Sequence, residues 1–247
     1  MRIIKTKNYD DMSRMVANIF FAQIIEKPDS VLGLATGSSV LGLYAELVES
    51  YNTGDLDFSE VRTFNLDEYA GLGGENSRSY RYYMDTNLFD HVNIKKENTH
   101  LPDGLAKDMK AECERYNGLL EEFDGADVQL LGLGENGHIG FNEPGDVFLR
   151  NTHVVDLNES TIKANSRFFA DEKDVPKQAV TMGIKNIMQA EKIVLCVSGR
   201  QKSKILREVL FGEITPRIPG SILQLHPELI VVADEEALYD SGSEING

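Results

Sequence analysis

The stretch SVLGLATGSSVLGLYAELVESY, from Ser30 to Tyr51, combines three patterns in one short segment. SVLGLA (30–35) is apolar without alternation, which is typical of a strand that a parallel sheet buries on both faces. TGSS (36–39) is a polar turn, and VLGLYAELVESY (40–51) has the apolar spacing of a helix. Together they predict one strand–loop–helix unit of a parallel α/β fold.

Similar apolar runs recur along the chain. They are VRTFNL (61–66), ADVQLLGL (126–133), KIVLCV (192–197) and ELIVVAD (228–234). The alternation with helical patterns predicts one Rossmann-like domain over residues 1–247, with a doubly wound, mostly parallel sheet and helices on both faces. Ligands of such sheets bind beyond the carboxyl ends of the strands. We therefore expect the segments TGSS, DEYAG, GENGH and SGRQK to meet in space.

Composition and charge exclude several classes of partner. The net charge of −15 argues against nucleic acid and anionic membranes as partners, although local cations and amides could still bind a small phosphate ester. No apolar run approaches a membrane span, and the first residues lack the apolar core of a signal peptide. Cys113 and Cys196 form no C-x-x-C pair, so we expect a cytoplasmic protein without a disulfide framework or zinc site.

The segment LGLGENGHIGFNEPG (131–145) allows three interpretations. It matches G-x-G-x-x-G, but the glycine, proline and asparagine after Gly137 leave no room for the helix of a dinucleotide loop. A metal site at His138 and Glu143 has no third ligand nearby. Acid–base chemistry remains, because the NEPG turn can bring Glu143 toward the imidazole while Asn136 helps to orient it. A turn with a surface histidine explains the same letters, and the sequence alone leaves both interpretations open.

Other loops supply candidates for binding and catalysis. Thr36, Gly37 and Ser38 offer amides and hydroxyls at a helix N-terminus, which suits a phosphate; helix capping by Ser38 or Ser39 is the simpler alternative.

Asp67 and Glu68 follow a strand, and because neighbours on extended backbone face opposite ways, only one should enter the cleft. The loops NSRFF and SGRQKSK add cations that could clamp a phosphate or simply be solvated: Arg167, Arg200, Lys202 and Lys204.

Taken together, LGLATGSS, NLDEYAGL, GLGENGHIGFNEPG, NSRFF and QAVTMGIKNIM closely resemble the glucosamine-6-phosphate deaminase family, which has 6-phosphogluconolactonases as relatives. The resemblance covers nearly the whole chain in order. It implies conversion of glucosamine 6-phosphate and water into fructose 6-phosphate and ammonia, with no metal or organic cofactor, in amino-sugar catabolism.

The resemblance also implies roles for individual residues. His138 would be the acid–base group of ring opening, supported by Glu143 and Asn136, and Asp67 would move the proton from carbon 2 to carbon 1. A further set would hold the phosphate: Thr36, Gly37, Ser38, Arg167 and Lys202.

Two departures from the better-known members are visible. Asn136 stands where many relatives carry Asp, which places this chain in an Asn-containing branch and leaves Glu143 to supply the negative charge beside His138. Allosteric hexamers carry basic residues in the segment after NEP and a longer C-terminal tail, whereas this sequence has THVVD (152–156) and ends with LYDSGSEING. A monomer is therefore expected, and activation by N-acetylglucosamine 6-phosphate is not.

Two competing functions are weaker. A lactonase of the same superfamily has no need for a carbon-2 base such as Asp67. A sugar-phosphate sensor without catalysis would be expected to carry a basic DNA-binding helix, and the sequence offers none.

Overall fold

A computed structural model of the chain describes residues 1–166 and 175–242. Within them, seven parallel strands form a central sheet: β1 (Arg2–Thr6), β2 (Val31–Leu34), β3 (Arg62–Asn65), β5 (Thr99–His100), β6 (Val128–Leu131), β9 (Lys192–Val197) and β10 (Leu229–Asp234). Their spatial order is β1-β10-β9-β6-β2-β3-β5. The five apolar runs of the sequence all become strands of this sheet, which confirms the predicted fold class.

Three further strands are antiparallel and form a second sheet, separate from the parallel one. Its strands are β4 (Asp67–Tyr69), β7 (His153–Asp156) and β8 (Gln178–Thr181), in the order β4-β8-β7. The sequence analysis did not predict this sheet, because its strands are three or four residues long and carry polar side chains. Such short segments become strands through pairing with each other rather than through intrinsic preference.

Helices connect the strands and pack around the central sheet. They are α1 (Tyr9–Glu26), α2 (Leu41–Asn52), α3 (Tyr80–Asn87), α4 (Met109–Glu122), α5 (Glu159–Asn165), α6 (Ile184–Met188) and α7 (Ser203–Phe211). Short 3-10 segments occur at Phe89–His91, Lys96–Asn98, Arg200–Lys202, Pro219–Leu225 and Tyr239–Ser241. Side-chain caps explain two of the starts: Asn8 accepts a hydrogen bond from the Asp11 amide ahead of α1, and Asp108 caps α4. None of the described helices is long and apolar enough to cross a membrane.

The core lies on the buried strands, since every residue of β2 and β6 and nearly every residue of β9 and β10 is buried. Strand order changes direction between β2 and β6: β3 and β5 follow on one side of β2, while β6, β9 and β10 follow on the other. The carboxyl ends of β9, β6, β2 and β3 therefore lie side by side. As predicted, this edge gathers TGSS, DEYAG, GENGH and SGRQK at a topological switch point.

Candidate active site

Asp67 reaches the site because the chain leaves the parallel sheet at Leu66. The Leu66 amide donates to the Leu34 carbonyl in the parallel sheet, while its carbonyl accepts from the Met182 amide beside β8. β4 begins at the next residue, where Asp67 pairs with Thr181. This handover between the two sheets holds the Asp67 carboxyl at the carboxyl edge of the central sheet with 6% of its surface exposed.

The loop after β6 comes close to the Asp67 side chain. Asp67 Oδ2 lies 3.4 Å from the position that a Cβ on Gly140 would take, and Thr181 Oγ1 lies 3.1 Å from it. Gly140 has φ +57°, in the left-handed region that glycine adopts without strain. A glycine is therefore required where this loop passes the carboxyl group.

The environment of Asp67 makes it a strong base for a carboxylate. Burial raises the pKa of Asp67 to about 8, and the negative charge of Glu68 adds to the rise. Aromatic rings contribute to this dry surrounding: Tyr69, Tyr80 and Phe141 form a cluster with ring centroids 4.8–5.9 Å apart. A base with a pKa near neutrality suits proton abstraction from carbon better than an ordinary carboxylate does.

Glu68 points away from Asp67, as the alternation of side chains along a strand predicts. Its carboxylate accepts hydrogen bonds from the backbone amides of Tyr69, Tyr80 and Arg81, at 2.8 to 2.9 Å. Burial raises the pKa of Glu68 to about 7, and these three N–H donors oppose that rise. Glu68 is thus a buried acid bound to the first turn of α3.

The segment that carries His138 is a compact loop and opens no helix, in agreement with the rejection of a dinucleotide site. The chain turns at Gly137, which has φ +85°, so Asn136 and His138 do not lie on one extended segment. Asn136 consequently does not contact the imidazole as expected. Its Oδ1 accepts from the His138 backbone amide at 3.2 Å, and its Nδ2 donates to Glu143 Oε2 at 2.7 Å.

The His138 ring is held between Glu143 and a glycine. His138 Nδ1 lies 3.7 Å from Glu143 Oε2, an ion-pair distance when the ring is protonated but too long for a direct hydrogen bond. On Gly134, a Cβ would come within 2.4 Å of the ring atoms Cε1 and Nε2, so the imidazole packs against a bare Cα. The side chain of His138 is 20% exposed, which leaves the ring accessible to a ligand from the cleft.

Glu143 is the most heavily hydrogen-bonded group of the loop. Besides Asn136, it accepts from Asn158 Nδ2 at 2.9 Å and from Thr161 Oγ1 at 2.5 Å, both at the start of α5. Burial alone would raise the pKa of Glu143, but His138, Thr161 and Asn136 outweigh that effect and lower the pKa to about 2. Glu143 is therefore ionised at neutral pH and favours a positive charge on His138.

The loop after β2 has the features expected of an anion site. Gly37 adopts φ +105°, and the residue that caps α2 is Val40, which makes no side-chain capping bond. Neither Ser38 nor Ser39 therefore occupies the N-cap position of α2. Two tyrosines hold its backbone instead: Tyr83 donates to the Gly37 carbonyl and Tyr9 to the Ser38 carbonyl, both at 2.8 Å.

Of the two cations predicted to bind the phosphate, Lys202 and Arg167, the structure describes only Lys202. Lys202 lies in the 3-10 turn after β9 and donates from Nζ to the Leu133 carbonyl at 2.8 Å, which places it beside the His138 loop. Arg167 lies outside the described residues. Among those described, no group of three or more His, Cys, Asp and Glu side chains is arranged to hold a metal ion.

Several contributors to the site were missed by sequence reasoning. They are Glu68 in its contact with α3, the tyrosines Tyr80 and Tyr83, the hydrogen-bond donors Asn158 and Thr161 of Glu143, and the glycines Gly134 and Gly140, which lie close to His138 and Asp67. Of these residues, only the two glycines could have been suspected from the sequence. They lie in a glycine-rich loop whose glycines remained unexplained once a dinucleotide site had been rejected.

Known proteins resemble this chain over almost its full length. Residues 5–231 match the family model described as glucosamine-6-phosphate isomerases/6-phosphogluconolactonase. A glucosamine-6-phosphate deaminase of Lachnoclostridium phytofermentans is 57% identical over 94% of this chain and 98% of its own length. One from Clostridioides difficile is 53% identical over 96% and 95% of the two chains.

Solved structures agree with these relatives. A monomeric glucosamine-6-phosphate deaminase is 44% identical, covers 97% of this chain and 100% of its own, and superposes with a TM-score of 0.95. The 6-phosphogluconolactonase of Trypanosoma brucei is 18% identical over 97% and 98% of the two chains, with a TM-score of 0.77, and shares the fold.

Proposed function

This chain belongs to the family of glucosamine-6-phosphate isomerases and 6-phosphogluconolactonases, and within that family we propose that it is a glucosamine-6-phosphate deaminase. It converts glucosamine 6-phosphate and water into fructose 6-phosphate and ammonia, a step of amino-sugar catabolism. The observation that carries this proposal is the close approach of Asp67, a buried carboxyl with a pKa of about 8, to the loop of the His138–Glu143 pair. Lactone hydrolysis has no use for a carbon base at that place.

The first step assigned to this site is opening of the sugar ring. His138 accepts the proton of the anomeric hydroxyl and returns it to the ring oxygen as the carbon–oxygen bond breaks. Glu143 stabilises the imidazolium formed in between, since its carboxylate is ionised and 3.7 Å from Nδ1. Asn136 holds that carboxylate in place.

The second step moves a proton between two carbons. Ring opening creates an aldehyde at carbon 1, which makes the proton on carbon 2 acidic. Asp67 removes this proton while the ammonium group of the substrate protonates the carbonyl oxygen, which gives an enolamine. Asp67 then delivers its proton to carbon 1, which leaves an iminium at carbon 2. Water adds to the iminium, and ammonia departs to give the ketone of fructose 6-phosphate. A single base can serve both carbons because they are adjacent.

Binding of the phosphate is assigned to the loop after β2. The backbone amides and hydroxyls of Thr36, Gly37 and Ser38 lie at the N-terminal end of α2, where the helix dipole favours an anion. Lys202 and Arg167 provide the positive charges. None of these assignments requires a metal ion or an organic cofactor.

Assembly and location are part of the same proposal. We propose a monomer, in line with the 44% identical deaminase that is described as monomeric. The two cysteines, Cys113 and Cys196, are free and buried, which suits a reducing cytoplasm. Because the family model spans residues 5–231, we treat the chain as one domain.

The direct test is a stoichiometric assay with the purified protein. Glucosamine 6-phosphate should yield ammonia and fructose 6-phosphate in equal amounts, without added metal and in the presence of a chelator. Hydrolysis of 6-phosphogluconolactone without ammonia release from the amino sugar would instead make the chain a lactonase.

A further inference from the structure

Glu68 is a buried acid to which the reaction gives no role. It is 1% exposed, and its carboxylate accepts the amides of Tyr80 and Arg81 at the first turn of α3, in addition to that of Tyr69. A carboxylate at a helix N-terminus is stabilised by the unpaired N–H groups and by the helix dipole. Because Glu68 directly follows Asp67, the same residue attaches α3 to the strand that carries the base.

The same turn of α3 also contacts the loop after β2. Tyr83 donates its hydroxyl to the Gly37 carbonyl at 2.8 Å. This hydrogen bond is partly buried. The first turn of α3 therefore contacts both the strand of the base and the loop assigned to the phosphate.

We propose that Glu68 is a positioning residue that fixes the distance between Asp67 and the phosphate loop by fastening α3 to β4. This inference rests on the proposed function for the identity of the base and the phosphate loop. It explains why a carboxylate rather than an amide occupies position 68, because three N–H donors converge on its two oxygens. It also makes phosphate binding and proton abstraction depend on one buried contact.

The electrostatic surroundings give this role its own signature. Glu68 lines a cavity of about 230 Å³ together with Arg81, His100 and Asp103. Asp67 is its neighbour in the chain. The Arg81 guanidinium is engaged by Asp85 and Thr99 rather than by Glu68. The Glu68 charge acts on Asp67 by raising its pKa. Removing that charge should therefore lower the pKa of Asp67. A structural defect alone would give no reason for a shift of the pKa in that direction.

The first variant is Glu68→Gln, which keeps the size of the side chain but points an NH2 group at an N–H donor. We expect kcat to fall and KM to rise together, with kcat/KM lower by about tenfold to a hundredfold because the reacting groups are misplaced. The acidic limb of kcat/KM against pH should move to lower pH. Asp85→Asn is the control, since it removes an acid from the same helix without touching β4, and its limb should stay in place.

The second variant is Tyr83→Phe, which removes only the hydroxyl on Gly37. It should raise KM and weaken the binding of inorganic phosphate, measured by calorimetry, while the acidic limb stays where it is in the wild type. Glu68→Gln should weaken phosphate binding in the same assay, which can be read without turnover. A wild type that releases no ammonia would overturn the proposed function alone. Wild-type phosphate affinity in both variants, or an unmoved acidic limb in an active Glu68→Gln, would overturn the role of Glu68.

Discussion

At the scale of single residues, the site depends on two carboxylates that differ sharply in their surroundings. Burial raises the pKa of Asp67 to about 8, whereas hydrogen-bonding neighbours lower that of Glu143 to about 2. The first group is poised to exchange a proton near neutrality, and the second stays charged to support His138. Opposite shifts in two nearby acids are typical of sites that divide acid–base work between them.

The raised pKa of Asp67 predicts the pH dependence of activity. The base must be ionised to act, so kcat/KM should fall as pH decreases through about 8 rather than through the ordinary range of an aspartate. The measurement is kcat/KM against pH at two temperatures. The limb should move little with temperature if a carboxyl group titrates, because carboxyl ionisation has a small enthalpy. A limb near pH 4 would contradict the assignment.

Asn136 allows a second test at the same scale. Asn136→Asp removes the amide that donates a hydrogen bond to Glu143 and places a second carboxylate beside it. The added negative charge favours protonated His138. If ring opening needs the neutral ring to accept the first proton, the acidic limb should move to higher pH. Asn158→Asp, which also places a carboxylate next to Glu143 but lies just before α5, is a useful comparison.

At the scale of elements, two glycines of the loop after β6 differ in what an added side chain would meet. A Cβ on Gly134 would lie 2.4 Å from the His138 ring, while one on Gly132 would meet no atom within 4 Å. Gly134→Ala should therefore displace the imidazole and lower kcat by up to the 10²–10⁴-fold that general acid–base catalysis contributes. Gly132→Ala, two residues away, should retain kcat. Equal activity in both variants would show that the ring position does not matter.

The elements also show what the sequence could and could not predict. The run KIVLCV becomes β9 residue for residue, because an unbroken apolar run has one place in a parallel sheet. The three residues of β4 gave no such signal, since an Asp-Glu-Tyr segment is a strand only through its pairing with β8.

The same difference holds for the site. Asp67, His138 and Glu143 follow predicted strands and could be placed at one edge, and the structure brings them there. The role of Asn136 changed because the turn at Gly137 depends on local backbone geometry. The contacts of Thr161 and Tyr83 arise from residues 18 and 46 positions away, and no spacing rule announces them.

At the scale of the whole molecule, holding a charged Asp67 in a buried site opposes folding. A carboxyl whose pKa rises on folding destabilises the folded state once the pH exceeds its unfolded value near 3.8, and the effect grows until the pH passes the folded value of about 8. Function is thus obtained at the expense of stability in this part of the fold.

This trade-off predicts that Asp67→Asn is more stable than the wild type at neutral pH. Each kcal/mol regained should raise Tm by roughly 2–4 °C for a chain of this size. The difference in Tm should widen from pH 4 to pH 8, because over that range Asp67 loses its proton in the unfolded wild type but keeps it in the folded one, whereas an asparagine titrates in neither state. Thermal unfolding of both proteins across that range is the measurement, and a difference that is constant with pH would contradict a raised pKa.

The proposed reaction depends on Asp67 as the base that moves the proton between the two carbons, and one comparison tests this role most directly. Purified wild type and Asp67→Asn are given glucosamine 6-phosphate, and ammonia release is followed beside the binding affinity for inorganic phosphate. We expect the variant to lose deamination while its phosphate affinity stays within a few-fold of wild type, since the base contributes little to docking. Deamination by Asp67→Asn at a rate close to that of the wild type would contradict the account.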